Sequence, residues 1–344
     1  MRHRASSVPG QRLPALDSVR SPTSWRIAFA IAATLALGSV AWLGVTTRGE
    51  IRDDRQRVNL ELVRDADVET TAPTSTDSPD AAAVTPPIQV IPSATPTRLV
   101  NPALQRNLVK LMDSLPAGMS ASVHRLSDGA SASHDAETVF YAASLFKLAV
   151  LYEAEREQST GELDFSSSIY PDFSEDLGTS GELPLADDGS LSIGEAIHYM
   201  IMVSDNASAV ALMHLMGTAR IDQTLFELGL RNTSVNMEGL PTTAADMARL
   251  MEAIVTGEGL SQEAVEHARA LLLGQAIRFG IPALLPTATV AGNKTGTWEG
   301  ALHDVAFVQT PSGTYVIAIL TDGSLGWEAI ADASRNIFDL LEVG

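Results

Sequence analysis

The pattern of apolar and polar positions divides the chain into four parts. Residues 27–47 are apolar or small and carry no charge, so a helix of this length crosses the ~30 Å hydrocarbon layer of a bilayer. The Arg-rich residues 1–26 precede this run, and positive charge favours the cytoplasmic side of a membrane. We therefore predict a cytoplasmic basic tail over 1–26, a single transmembrane anchor over 27–47, and export of everything that follows.

Residues 48–98 lose the apolar pattern and become rich in charge and then in Pro, Thr, Ser and Ala. Such a composition buries too little apolar surface to offset the entropy cost of ordering, so we predict a disordered tether. Regular apolar periodicity returns at 99–344, which is enough chain for one sizeable domain.

The domain 99–344 begins as a helix followed by a strand, because leucines recur at helical spacing near residue 104 and Ser120–Leu126 alternates before a Ser-Asp-Gly turn. It ends in β-rich runs and a closing amphipathic helix. We predict an α/β fold of the α+β type: one mostly antiparallel sheet built from both termini, flanked by helices, with an inserted all-helical subdomain. The segments individually predicted are helices over 192–202, 206–216, 243–254 and 327–341, and strands over 289–295, 305–309 and 314–321.

Charge and composition argue against several classes of partner and cofactor. The total charge is −19, and residues 1–49 hold six Arg and one Asp, so the remaining chain carries −24. That acidity argues against nucleic acid as a partner, since phosphate binding needs a basic surface. There is no Cys, and the seven His show no metal-ligand spacing, so we expect no metal, no cofactor and no disulfide.

Three short motifs follow one another along the domain: Ser144-Leu-Phe-Lys147, Ser204-Asp-Asn206 and Lys294-Thr295-Gly296-Thr297. Ser144 and Lys147 share one face at the start of an apolar helix, so a Lys with a depressed pKa can activate the hydroxyl, and Lys294 is a cation that can depress it. Ser204 is then a proton shuttle to the leaving nitrogen, and Asn206 a partner for Lys147 and the substrate amide.

Substrate binding is predicted on the strand that carries the third motif. Lys294 and Thr295 can hold a substrate carboxylate, and Gly296 lets a ligand approach the strand edge. The backbone N–H groups of Ser144 and Thr297 can stabilise an oxyanion. Singly, each motif also fits an ordinary helix cap or an edge strand.

Together, in this order, the motifs resemble those of the class A β-lactamases and their penicillin-binding relatives. Residues 100–344 share the resemblance, including FYAASLFKLAVL and LSIGEAIHYMIMVSDNASAVALM. It implies a β-lactamase/transpeptidase-like fold, acylation of Ser144 and an acyl substrate such as a β-lactam or a cell-wall peptide. We expect a monomer.

Two positions depart from the family pattern. The family carries an E-x-x-L-N loop whose Glu activates the deacylating water, whereas here the corresponding stretch is shorter and offers only Glu238. Glu238 is either a replacement base or an exposed turn residue. His303 lies near the place where many relatives have an Arg that binds the substrate carboxylate, and it is either a substrate-binding residue or a plain strand residue.

Three functions stay open at this point. The first is a β-lactamase-like hydrolase that forms and hydrolyses an ester on Ser144. The second is a D,D-peptidase or esterase of cell-wall metabolism. The third is a penicillin-binding sensor domain that is acylated without turnover.

Overall fold

The computed structural model describes residues 102–173 and 183–343. The predicted tail, anchor and tether lie outside these residues, so the domain boundaries over 1–98 stay predictions. Within the described ranges, no helix combines the length and apolar character needed to cross a membrane.

Five antiparallel strands form the central sheet in the order β2-β1-β9-β8-β7. Two come from the N-terminal part, β1 (Met119–Arg125) and β2 (Ser131–His134), and three from the C-terminal part, β7 (Val290–Trp298), β8 (Ala301–Thr310) and β9 (Gly313–Thr321). The predicted fold class is therefore confirmed: both ends of the domain build one sheet.

The sheet is buried on both faces because apolar residues occupy both sides of its central strand. In β9, Ile317 points into one core and Val316 into the other. The first core is closed by α1 (Pro102–Met112) and α8 (Trp327–Val343), and the second by the helical region inserted between β2 and β7. An uninterrupted apolar run such as YVIAIL is what a strand covered on both faces requires.

Six helices make up the inserted region among the described residues. A capping box is present at Ser192, with Glu195 as its second member, and Thr243 caps the helix that it precedes. The sequence predicts α3, α4 and α6 individually and α2 with a start at Ala143, but it predicts neither α5 nor α7. The helices are α2 (Phe146–Thr160), α3 (Ile193–Met202), α4 (Asn206–Met216), α5 (Thr218–Glu227), α6 (Ala244–Thr256) and α7 (Gln262–Leu273).

Two short strand pairs connect the helical region to its surroundings. β3 (Phe140–Tyr141) pairs with β6 (Pro241–Thr242), and β4 (Ser168–Ile169) pairs with β5 (Leu191–Ser192). The first pair matters for the site, because β3 leads directly into the turn that carries Ser144.

Candidate active site

Ser144 lies in a single 3₁₀ turn, Ala143–Leu145, between β3 and α2. The sequence predicts a regular helix from Ala143, but the α-helix begins only at Phe146. Ala143 has a φ of +46°, a left-handed conformation that costs a non-glycine residue of the order of 1 kcal/mol. The N–H of Ala142 donates to the carbonyl of Leu240 at 2.8 Å, so the strained turn is braced by the segment before β6.

Lys147 is fully buried one turn after Ser144. Its Nζ nitrogen lies within hydrogen-bond distance of three oxygen atoms: the carbonyl of Ser204, the hydroxyl of Ser204 at 3.1 Å and Oδ1 of Asn206 at 2.6 Å. All three hydrogen bonds therefore go to the second motif, and none goes to the Ser144 hydroxyl. The contacts fix the end of a long, flexible side chain beside the turn.

The second motif forms the connection between α3 and α4. Asp205 is the N-cap of α4, and its carboxylate accepts from the N–H of Ser208 at 2.7 Å. Because Asp205 takes the capping role, Ser204 and Asn206 are available to Lys147. Ser204 has a φ of +63°, a second non-glycine residue in the left-handed region at this site.

Lys294 approaches the same hydroxyl from the sheet. It is fully buried on β7, and its ammonium donates to Ser204 Oγ at 3.0 Å and to the carbonyl of Thr295 at 2.8 Å. Both lone pairs of the Ser204 hydroxyl are thus used by the two lysines, which leaves its own O–H proton to point elsewhere. Three segments far apart in the chain meet at one oxygen atom.

The two lysines differ in their electrostatic surroundings. Burial lowers the pKa of Lys147 well below its ordinary value, and the positive charge of Lys294 lowers it further, against the opposing effect of Asp205. Burial also lowers the pKa of Lys294, to about 7, and the carboxylate of Asp304 opposes that shift. Because two neighbouring ammonium groups repel each other, the charge of Lys294 favours the neutral form of Lys147.

A buried polar pair behind Lys294 was not predicted from the sequence. The amide nitrogen of Asn293 donates to Asp304 at 2.9 Å and to the carbonyl of Ile277 at 3.1 Å, and the N–H of Ile281 donates to Asp304 at 2.7 Å. Burial raises the pKa of Asp304 to about 7, while these hydrogen bonds and the charge of Lys294 oppose the rise. In its ionised form, Asp304 is therefore a counter-charge held under the strand that carries Lys294.

The third motif lies on an edge strand, since β7 pairs only with β8 in the sheet of the described residues. Gly296 packs against the turn that carries Ser144. A Cβ atom on Gly296 would lie 2.8 Å from the carbonyl oxygen of Ala142 and 3.1 Å from Cγ of Leu145. The absent side chain thus makes room for the turn that carries Ser144, and the prediction that this room serves a ligand is not what the packing shows. This close approach brings the part of β7 that contains Thr295 and Thr297 next to Ser144.

His303 pairs with Gly296 across β7 and β8. Its ring is fully buried, with Nε2 2.9 Å from the carbonyl oxygen of Tyr141 and Nδ1 3.2 Å from the N–H of Thr321. Both ring nitrogens are therefore engaged by the backbone. This geometry favours a role in holding the turn over a contact with a substrate carboxylate.

Among residues 102–173 and 183–343, no group of three or more His, Asp or Glu side chains is arranged to hold a metal ion. The polar centre of the site consists of hydroxyl, amide and ammonium groups. Such a set is suited to acid–base and acyl-transfer chemistry.

Comparison with protein families agrees with the geometry. The model of the beta-lactamase enzyme family matches residues 103–341, which is most of the chain. The chain belongs to the beta-lactamase enzyme family. This membership is consistent with a beta-lactamase-like serine enzyme.

Several solved structures are similar to this member of the beta-lactamase enzyme family. PBP-A is 25% identical with a TM-score of 0.65, over 72% of this chain and 99% of that one. A mutant of PBP-A, solved as an acyl-enzyme complex with penicillin G, is 25% identical with a TM-score of 0.63, over 70% and 97%. A beta-lactamase from Sphaerobacter thermophilus is 25% identical with a TM-score of 0.62, over 72% and 99%. Among curated proteins, no sequence matches the chain.

The loop before β6 is where this beta-lactamase family member departs from the class A pattern. Asp222 on α5 accepts from the hydroxyl of Ser234 at 2.5 Å and from the N–H of Val235 at 2.7 Å, which folds the loop tightly. Glu238 is exposed in this loop. Its role as a deacylation base stays a prediction.

Proposed function

We propose that the chain is a serine hydrolase of the class A beta-lactamase type that forms an acyl-enzyme on Ser144. The substrates are β-lactams or D-Ala-D-Ala-like amides. One observation carries the proposal: the Ser204 hydroxyl joins the buried amino groups of two lysines, and one of them, Lys147, follows Ser144 by one helical turn.

The proposed acylation begins with proton transfer from Ser144 Oγ to the neutral amine of Lys147. The oxygen attacks the carbonyl carbon, and the negative charge that forms on the carbonyl oxygen is stabilised by the N–H groups of Ser144 and Thr297. The C–N bond then breaks. Ser204 passes a proton to the leaving nitrogen and takes one from the Lys147 ammonium, so the protons balance.

Substrate recognition follows from the charges around the cleft. A β-lactam and a D-Ala-D-Ala peptide both place a carboxylate close to the scissile amide, and the Lys294 ammonium with the Thr295 hydroxyl provides a charge-assisted partner for it. Asn206 orients the acyl amide. The similarity to PBP-A, a mutant of which forms an acyl-enzyme with penicillin G, supports this class of substrate.

A second candidate function is favoured by the loop before β6. The segment 234–240 contains one carboxylate, Glu238, and that side chain is exposed. An enzyme that is acylated in this way but has no efficient deacylation base would act as a D,D-peptidase or esterase with another acyl acceptor, or as a sensor that stays acylated.

Intact-mass measurement after incubation with penicillin G tests the acylation. We expect the wild-type chain to gain the mass of one penicillin, Ser144→Ala to gain none, and Lys147→Ala to react at least ~100-fold more slowly, because a positioned base contributes 10² to 10⁴. Ser114→Ala and Lys110→Ala, at exposed positions of α1 and the turn after it, are matched controls that should react like the wild type. Normal labelling of Ser144→Ala would disprove the mechanism.

We further propose that residues 27–47 anchor the protein in a membrane, with the N-terminus cytoplasmic and the catalytic domain outside. The charge distribution on the two sides of this segment supports the orientation. Protease added to spheroplasts should digest the domain. Protection of the domain would contradict export.

A further inference from the structure

We propose that His303 is a positioning residue that, as a neutral imidazole with its proton on Nε2, holds the nucleophile turn against the sheet. The inference rests on the proposed function, since the group being positioned is Ser144. It concerns a residue that lies outside the three motifs.

The two hydrogen bonds of the ring determine its protonation. The carbonyl oxygen of Tyr141 can only accept, so Nε2, at 2.9 Å, carries the proton. The N–H of Thr321 can only donate, so Nδ1, at 3.2 Å, is the acceptor. One tautomer of the neutral ring satisfies both partners, and the imidazolium form does not.

The bond to Tyr141 acts on the reacting serine because Tyr141 ends the strand that leads into the turn. Gly296, opposite His303 in the register, provides the space into which Ala142 and Leu145 pack. The ring of Phe140 contacts the imidazole edge-on at 5.6 Å between centroids. Residues 140–145 thus pack directly against the Gly296–His303 pair.

The same turn is held from its other side by the segment before β6. Leu240 accepts the Ala142 N–H, and Phe140 and Tyr141 pair with Thr242 and Pro241. β3 is therefore held on one side by its pairing with β6 and on the other by the hydrogen bond between Tyr141 and His303 of the sheet. The strained φ of Ala143 needs such constraint from both sides.

Protonation of the ring would keep the donor to Tyr141 but remove the acceptor for the Thr321 N–H, and the resulting repulsion would displace the ring from its position beside β3. An Nδ1–H group would face the N–H of Thr321, placing two donors opposite each other in a buried site. Burial holds the pKa of His303 below its ordinary value, and the backbone carbonyl groups of Tyr141 and Leu302 oppose that shift. Five titratable groups lie on the elements around the ring. They are Tyr141 on β3, Lys294 on β7, Glu299 in the turn between β7 and β8, Asp304 on β8 and Asp322 directly after β9.

Two amide substitutions separate the two hydrogen bonds. The Nε2 amide of His303→Gln reaches as far from the backbone as His Nε2 and can donate to Tyr141, whereas the Oδ1 of His303→Asn reaches only as far as Nδ1 and can accept from Thr321. We expect the acylation rate constant at saturating penicillin G to stay near the wild-type value in His303→Gln. It should fall on the order of 10²-fold in His303→Asn and His303→Leu, with the dissociation constant of the non-covalent complex little changed. Ile337→Ala, a core variant on α8, controls for loss of stability alone and should acylate normally.

The pH profile provides the second readout. Below the pKa values of both Lys147 and His303, the logarithm of the wild-type acylation rate constant should fall with a slope near 2 per pH unit, and His303→Gln should fall with a slope near 1. Equal rates for His303→Gln and His303→Asn, or equal slopes for wild type and His303→Gln, would overturn the inference while leaving acylation intact. Failure of the wild-type chain to react with penicillin G would instead overturn the proposed function and the inference with it.

Discussion

At the scale of single residues, the chemistry depends on which of two buried lysines is neutral. The chain contains only three lysines, Lys110, Lys147 and Lys294, and two of them meet at the Ser204 hydroxyl. An ammonium group loses its water shell when it is buried, so the neutral form is favoured unless a partner of opposite charge stabilises the cation. The Asp304 carboxylate favours charge on Lys294, which leaves Lys147 as the base.

This scarcity of lysines makes the charge assignment directly measurable. Protein labelled with ¹³C at the lysine Cε should give three NMR signals, with exposed Lys110 as the internal reference. We expect Lys294 to titrate at about 7 and Lys147 well below its ordinary pKa. Acylation should then decline as pH falls through the pKa of Lys147, because the base becomes protonated, and as pH rises through that of Lys294, because the carboxylate-binding charge is lost.

Asp304→Asn tests the cause of the asymmetry. Removing the counter-charge should move the Lys294 titration, and with it the alkaline limb of the acylation profile, to lower pH. Asp164→Asn, at an exposed position before β4, is the matched control and should leave both unchanged. An unshifted Lys294 signal in Asp304→Asn would mean that the carboxylate does not set the charge of this lysine.

At the scale of elements, local sequence signals predict α3, α4 and α6 because each begins at a capping residue that acts within four residues of itself. The start of α2 could not be predicted in the same way. Ala143 and Ser144 read as the first residues of a helix, and they form a 3₁₀ turn because β6, Gly296 and His303 hold that turn from outside. Tertiary contacts override helix propensity at this place.

Gly296→Ala tests whether the close approach of β7 to this turn matters. The added methyl group would lie 2.8 Å from the Ala142 oxygen, and backbone atoms on both sides cannot move without displacing Ser144. We expect a loss of about 1–3 kcal/mol in the free energy of unfolding and a slower acylation step. Gly194→Ala, where the new Cβ meets nothing closer than 3.4 Å, is the control and should fold and acylate normally. Wild-type acylation in Gly296→Ala would show that the turn tolerates the displacement.

At the scale of the whole molecule, the site exists because the sheet is assembled from both ends of the domain. The apolar periodicity is sufficient to predict this topology, and the order of the motifs is sufficient to predict that Lys147, Ser204 and Lys294 meet. They are not sufficient to predict the Asn293–Asp304 pair or the contacts of His303, since these depend on which side chains face each other across β7 and β8. Register of that kind is set by the packed sheet and has no local signature.

The balance between acylation and turnover is also a property of the whole domain, because it depends on how α5, the loop 234–240 and β6 fit together. Asp222 and Ser234 fold the loop tightly, and its last residue braces the Ser144 turn through Ala142, so the segment serves as a structural support. The only carboxylate of the loop, Glu238, is exposed. We therefore expect rapid ring opening of one equivalent of nitrocefin as the acyl-enzyme forms. The steady state that follows should be slower than acylation by about 10²-fold or more, which is the contribution of a missing general base.

Glu238→Gln distinguishes the two roles open to this loop. If the loop is a support alone, the variant should show the same burst and the same slow phase as the wild type, and so should Glu227→Gln, an exposed control on α5. Rapid steady-state turnover by the wild type that stops after one burst in Glu238→Gln would contradict this expectation. That result would establish Glu238 as the deacylation base and the chain as an efficient β-lactamase, because a water molecule would then be activated from within the short loop.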